Sequence, residues 1–317
     1  MRAVLRTLHG SSQIMARLKE RIGDGAVLVN DERELEAALG DAELLLITDN
    51  LYTASLSQLL REKAPQLKWM QLLSAGYDAV AGHGVPPGVI VTNAGDAYAP
   101  AVATHAVALL LGVQRQFPAF LTSQMKHHWE RGLGPRNTIP FGMTIAVIGF
   151  GHIGRAIARI LKSLGATIIA VTRHGAPTPD ADATAPMTAL HAVLARADAV
   201  MIALSASAET RHLIGIQEFA AMKKSAVLVN IARGYIVDCV ALAAALKEGQ
   251  IAGAGIDVTE PEPLPSDHPL WDAPNLILTP HMAGASGAVT SERVAAVADA
   301  NLARYLKGEP LLYRVAL

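Results

Sequence analysis

The sequence predicts an α/β protein made of two parallel-sheet domains, and three observations carry that expectation. Short apolar runs alternate with amphipathic helical patterns from end to end, the arrangement of parallel strands joined by crossover helices. The chain has 317 residues, too many for one typical core and suited to two. In its middle the apolar run TIAVIG passes directly into the amphipathic segment HIGRAIARILKSLG, which places Gly149, Gly151 and Gly154 at a strand-to-helix turn.

Taken in order, strands are expected at 3–8, 44–48, 67–72 and 89–92, with helices near 12–22, 32–39 and 54–63. A long helical segment at about 100–116 then leads into a polar, aromatic stretch ending in HHWERGLGPRN and is expected to bridge the two domains. After the glycine turn, Gly165 can stop the helix, and further strands are expected at 166–172, 199–204, 226–230, 252–258 and 276–278. Asp238 is a suitable N-cap, and Gly249 a suitable stop, for the helix through ALAAALKEG. The proline-rich EPEPLPSDHP should be irregular and surface-facing. A last helix near 290–307 should return to the first domain. The expected division is therefore a discontinuous substrate domain, 1–98 with 286–317, and a dinucleotide-binding domain, 99–285, with an active-site cleft between them.

Each glycine of the turn has its own steric task. Gly149 permits the tight bend, Gly151 lets a pyrophosphate approach the backbone, and Gly154 lets the helix lie close on the strand. Amides and the positive dipole end of the helix then hold phosphate. With strand, loop and helix in that order the segment reads as a Rossmann-like dinucleotide site, its companion domain being Rossmann-like or flavodoxin-like.

Composition narrows the remaining classes. A hydrophobic content of 51% with 17% charged residues allows large cores, and a net charge of −1 argues against a nucleic-acid surface. The longest apolar segment, near 102–113, is broken by Thr104 and His105 and is too short to cross a bilayer, so no membrane partner is expected. The first ten residues lack a secretory h-region. Cys239 is the single cysteine, which excludes an internal disulfide and suits a reducing, cytoplasmic setting; the thiol itself is expected to be a small buried hydrophobe.

Ligands of open parallel sheets bind beyond the carboxyl ends of the strands. Arg233 follows VLVNIA, Asp257 ends AGAGID, Glu262 comes shortly after, and His281 follows LILTP, so all four project toward the fingerprint edge. Arginine matches a planar carboxylate with two parallel charge-assisted hydrogen bonds. Histidine can move the proton that accompanies hydride transfer, and a nearby carboxylate would orient the ring and favour its charged form.

At these residues the sequence resembles the D-isomer-specific 2-hydroxyacid dehydrogenases, in particular the glyoxylate and hydroxypyruvate reductases, over nearly the whole chain. The segment from MKKSAVLVNIARG to NLILTPHMAGAS is similar to that family's C-terminal signature. The resemblance implies that Arg233 binds the substrate carboxylate and carbonyl, that His281 is the acid/base, and that Glu262, five positions after Asp257, is its partner; Glu260 is the rival for that role. It further implies that LLSAGYDAV is a substrate loop whose amides near Ala75 and Gly76 grip the carboxylate. Cofactor contacts are expected at Gly149, Gly151, His152, Ile153, Gly154, Arg173, Ile231 and Asp257, the last beside the nicotinamide carboxamide. The family commonly has an acidic residue where Thr104 stands and a proline where Ser205 stands. A homodimer formed through 100–136 is also implied.

The second cofactor strand ends in Thr172, Arg173 and His174, with no carboxylate before Asp180 to accept from ribose hydroxyls. A 2′-phosphate wants a cation, so Arg173 favours NADP(H), with NAD(H) possible. The implied reaction is reduction of a small 2-oxo acid to the D-2-hydroxy acid. Two alternatives share the fold: a nucleotide-sensing binding protein, and a dehydrogenase for another reductant such as phosphite; Glu262 argues against a formate enzyme, which has glutamine there. No metal is expected. His127 and His128 are adjacent, with divergent directions on a helix, and are read as a helical surface cluster, while His105 is read as a hydrogen-bonded core residue. Trp129 and Trp271 are read as packing residues, and Leu51, Tyr52, Tyr77, Trp271 and Met282 as candidates for the wall around the substrate side chain.

Overall fold

The structure, a computed structural model, describes residues 1–8, 10–205 and 208–317. The chain forms two compact units, 1–98 with 285–317, and 99–284. The expected division had set Ala285 on the other side of that boundary.

The first unit is a five-stranded sheet. Its elements are β1 (Ala3–Arg6), α1 (Ser11–Ile22), β2 (Ala26–Leu28), α2 (Glu32–Ala38), β3 (Leu44–Ile47), α3 (Ala54–Lys63), β4 (Trp69–Leu72), α4 (Asp78–His83) and β5 (Ile90–Thr92). The strand order is β2-β1-β3-β4-β5 with parallel pairing throughout, the flavodoxin-like order. Alternation along the strands supplies both faces with apolar side chains: in β3, Leu44 and Leu46 join one core, and Leu45 and Ile47 the other. Val294, Ala295, Ala298 and Leu302 of the last helix fill the first of these cores beside Ile14, Leu18 and Trp69.

The second unit contains α5 (Ala99–Gln114), α6 (Phe117–Met125), β6 (Thr144–Ile148), α7 (His152–Ser163), β7 (Thr167–Thr172), β8 (Ala183–Pro186), α8 (Leu190–Leu194), β9 (Ala199–Ile202), α9 (Ile216–Ala221), β10 (Val227–Asn230), α10 (Cys239–Lys247), β11 (Gly253–Ile256) and β12 (Leu276–Leu278); α11 (Ala288–Leu306) is the last helix of the first unit. Its sheet runs β12-β11-β10-β9-β6-β7-β8, again all parallel. Counted from β6 this is the doubly wound dinucleotide order, extended by one strand at β12. Asp238 caps α10 by accepting from the amides of Val240 and Ala241, and Gly249 follows its end at φ 66°.

Four elements depart from the sequence expectation, one of them the six-residue α4, whose start falls in the segment expected to be a substrate loop. β2 and β8 are edge strands of three and four residues, too short to show a period, and pairing alone defines them. α6 lies in what was read as a polar stretch, and it ends at Met125, so His127 and His128 are not on a helix as expected; His127 has φ 53°. Trp129 is 88% exposed and Trp271 52% exposed, so neither is a packing residue; Trp69 is the tryptophan of the core. Among the described residues no helix is long and apolar enough to cross a membrane.

Candidate active site

The fingerprint turn shows a separate constraint at each glycine. Gly149 lies at φ 89°, and a Cβ there would stand 2.4 Å from Cα of Leu204. At Gly154 a Cβ would meet the Gly149 carbonyl oxygen at 2.1 Å, whereas at Gly151 nothing lies within 4 Å. The chain is thus tight where helix meets strand and open where a phosphate would approach. Gly151 precedes α7 with no side-chain cap, His152 is exposed and Ile153 half-buried, so the positive end of the helix is accessible to an anion. These residues fit a dinucleotide.

Strand order brings the other candidates to the same sheet edge. Arg233 follows β10, Asp257 follows β11 and His281 follows β12, all at carboxyl ends, as the fingerprint follows β6. Ile231, buried, continues β10, its backbone N–H donating a hydrogen bond to the carbonyl of Ile202. Asn230 then turns the chain: its Nδ2 donates to the Arg233 carbonyl at 3.0 Å, and its Oδ1 accepts from the Ala232 amide at 3.1 Å. Gly234 packs against the next loop so closely that a Cβ would stand 1.8 Å from the Thr259 carbonyl oxygen. Only glycine lets the arginine turn and the glutamate loop meet.

Glu262 uses both oxygens, Oε1 accepting from the Thr259 amide at 3.0 Å and Oε2 lying 2.8 Å from Nδ1 of His281. Glu260, the rival, is engaged elsewhere, 2.8 Å from Nη2 of Arg211 and 3.3 Å from Nε2 of His212. An ionised carboxylate can only accept, so Nδ1 of His281 carries the hydrogen and Nε2 is the atom left to exchange a proton. The hydrogen bond to Glu262 raises the His281 pKa above its ordinary value, against burial and the positive charge of Arg233. Burial alone would raise Glu262; hydrogen bonds from His281 and Thr259, with Arg233 nearby, hold it below the ordinary carboxylate range instead. The carboxylate thus favours the charged form of the imidazole, with a guanidinium close enough to act on both.

Asp257 shows a task that the sequence reading missed. It is 1% exposed, and both its oxygens serve the loop that carries His281: Oδ1 accepts from the Thr279 hydroxyl at 2.6 Å and the Met282 amide at 2.9 Å, and Oδ2 from the Ala283 amide at 2.8 Å. His281 has φ 51°, the left-handed region, which costs an L residue about 1 kcal/mol. Its amide donates to the Asp257 carbonyl at 2.7 Å, so the strained turn is held at backbone and side chain alike.

Arg173 follows β7, its side chain 75% exposed and its Nη2 3.7 Å from Glu209. Asp180 is occupied by Arg155 and Arg159, both at 3.3 Å. In the first unit the Ala75 carbonyl accepts from Asn93 Nδ2 at 2.8 Å and the Gly76 carbonyl from Ser74 Oγ at 2.9 Å. Because N–H and C=O of a trans peptide point opposite ways, the Gly76 amide is turned away from Asn93. Tyr52 is buried, its hydroxyl donating to the Gly84 carbonyl, and is withdrawn as a wall residue; Leu51 and Tyr77 are half-buried and Met282 is exposed. Cys239 is buried, and burial pushes its thiol up, as suits an inert residue. Among the described residues no group of three His, Cys, Asp or Glu side chains could hold a metal ion.

A nucleotide-ready glycine turn and a paired histidine on one doubly wound sheet define a nicotinamide-dependent dehydrogenase class. The model of the NAD binding domain of D-isomer specific 2-hydroxyacid dehydrogenases matches residues 107–283. The glyoxylate reductase of Thermococcus litoralis is 34% identical over 290 residues, 89% of this chain and 84% of that one. A D-isomer specific 2-hydroxyacid dehydrogenase family protein of Aeromonas salmonicida superposes with a TM-score of 0.84 at 28% identity, over 99% of each chain. The D-isomer specific 2-hydroxyacid dehydrogenase of Xanthobacter autotrophicus, solved with NADPH and MES, gives 0.84 at 26% identity, over 99% of this chain and 98% of that one. The chain belongs to the D-isomer specific 2-hydroxyacid dehydrogenase family.

Proposed function

We propose that this protein reduces a small 2-oxo acid of the glyoxylate or hydroxypyruvate type to the D-2-hydroxy acid, with NADP(H) preferred over NAD(H). The observation that carries the reading is the 2.8 Å contact of His281 with Glu262, under the influence of Arg233. When bound, the nicotinamide supplies the hydride. Arg233 holds the substrate carboxylate in its fork and polarises the adjacent carbonyl. His281, charged and oriented by Glu262, gives the Nε2 proton to the carbonyl oxygen as alkoxide character develops. The amides of Ala75 and Gly76 are assigned to the substrate carboxylate by resemblance. Gly149, Gly151, His152, Ile153 and Gly154 are assigned to the pyrophosphate, Ile231 and Asp257 to the nicotinamide side, and Arg173 to the 2′-phosphate.

The substrate type is supported by likeness to the Thermococcus glyoxylate reductase. The cofactor preference is supported by Arg173, the absence of a free carboxylate at Asp180, and the NADPH held by the Xanthobacter relative. A cytoplasmic homodimer is part of the same proposal. Its support is the single buried Cys239 and the apolar surface of α6 and the residues just after it, where Phe117, Leu121, Met125 and Trp129 are all exposed.

The deciding experiment is a matrix of 2-oxo acids against NADPH and NADH, followed by His281→Ala on the best pair. Rapid turnover of glyoxylate or hydroxypyruvate with NADPH, abolished by the substitution, is expected. Cofactor binding without consumption would favour a sensor.

A further inference from the structure

One face of α5 carries His105, Leu109 and Val113 at four-residue intervals, and β11 with its extension carries Asp257, Gly255 and Gly253 at two-residue intervals beneath it. Four helical residues rise about 6.0 Å and two strand residues about 6.6 Å, so the two series stay in step. The contacts follow that register: a Cβ at Gly253 would stand 2.6 Å from Val113 Cγ1, and one at Gly255 would stand 2.7 Å from Leu109 Cβ. At the third step Nε2 of His105 lies 2.9 Å from Thr279 Oγ1 and 3.5 Å from Asp257 Oδ1. Strand pairing sets Ile256 against Leu278, which puts Asp257 and Thr279 side by side just past the strand ends.

The direction of the hydrogen bonds follows from the number of hydrogens. The Thr279 hydroxyl has one, and it goes to Asp257, a carboxylate that can only accept, at 2.6 Å. His105 must therefore donate from Nε2 to Thr279. The chain His105 to Thr279 to Asp257 ends on the same carboxylate oxygen that takes the Met282 amide, while its other oxygen takes that of Ala283. Those amides belong to the two residues that follow the left-handed His281.

We propose that His105 is a positioning residue for His281: by donating to Thr279 it fixes Asp257, and Asp257 fixes the turn that sets the His281 ring against Glu262. This rests on the reading of His281 as the proton donor. His105 touches neither that ring nor Glu262; it acts through the loop.

The test compares His105→Leu, His105→Gln, His105→Asn and Thr279→Val, and the leucine–valine double variant, in 2-oxo acid reduction at saturating reduced cofactor. The His281 ring is also titrated by NMR in the protein alone, with its signal assigned by its loss in His281→Ala. A glutamine amide reaches as far as Nε2 and keeps a donor, whereas an asparagine amide falls short. His105→Leu and Thr279→Val are expected to lower kcat about tenfold with KM within about twofold, and the double variant no further than either one. His105→Gln should keep at least about half of kcat. The His281 ring should titrate at lower pH in the leucine and asparagine variants and as in the parent in the glutamine variant. Parental kcat in His105→Leu, equal loss in the glutamine and asparagine variants, or multiplying losses in the double variant would overturn the proposal. If the leucine variant does not fold, the glutamine and asparagine pair decides. Parental turnover in His281→Ala would sink the functional reading instead, and the NMR titration, which needs no substrate, would still judge His105.

Discussion

Glu262 holds His281 by a hydrogen bond of 2.8 Å at Nδ1, and that one contact sets the sign of the pH dependence. The His281 pKa is raised above the ordinary 6.5, so the ring stays charged further into the neutral range. Reduction of an oxo acid needs that proton and the reverse oxidation needs it gone. The reductive rate should therefore fall as pH rises through the raised value, while the oxidative rate climbs. Glu262→Gln removes the charge that raises it, so both limbs should move toward acid. Rate profiles in the two directions check this, and identical profiles would remove His281 as the donor.

Arg233 is placed by Asn230 and by the close approach at Gly234. Lysine there keeps the charge but loses the planar fork. Arg233→Lys should lower kcat/KM about 100-fold, a loss of roughly 2.7 kcal/mol, without changing cofactor affinity. Steady-state kinetics paired with cofactor titration would show it.

A methyl group at Gly234 has nowhere to go, since the Thr259 carbonyl oxygen would lie 1.8 Å from it. Gly234→Ala should destabilise the second unit by about 1–3 kcal/mol, and it should reduce kcat as well by parting the arginine turn from the glutamate loop. Thermal unfolding and turnover would be measured together. A fully stable, fully active variant would contradict the packing.

On the proposed reading, cofactor choice rests on Arg173, which is exposed and lies 3.7 Å from Glu209. Arg173→Ala should weaken NADPH about tenfold to 100-fold and NADH by less than about threefold. Glu209→Gln frees the cation and should tighten NADPH. Equal losses for the two cofactors in Arg173→Ala would rule out a 2′-phosphate contact by Arg173.

How far the chain could be read in advance depended on whether a feature was local. Helix α3 lies where the sequence pattern set it, near 54–63, and the Thr53 cap on the Leu56 amide shows how adjacent residues fix such a start. The fingerprint roles were legible for the same reason, each glycine acting within one turn. Helix α6 was not: none of its residues is buried, so its apolar side chains carry no inward-facing pattern. The edge strands β2 and β8 exist through pairing with distant neighbours. Tyr52 was misjudged because an aromatic near a loop looks like a wall until its hydroxyl is seen bonded to Gly84.

In the site, residue chemistry and the choice of Glu262 and His281 were legible, while the contacts that hold them were not. Arginine, glutamate and histidine announce carboxylate binding and proton transfer by type and order. The resemblance picks Glu262 over Glu260 by its spacing from Asp257, and the folded chain agrees, with Glu262 on His281 and Glu260 on Arg211 and His212. The link from His105 to Thr279 spans 174 positions and exists because a helix and a strand keep step across a glycine seam. Order along the chain prescribes chemistry and local turns, since both arise between neighbours. Distances between remote side chains come from how helices lie on sheets, and no single stretch of sequence contains them.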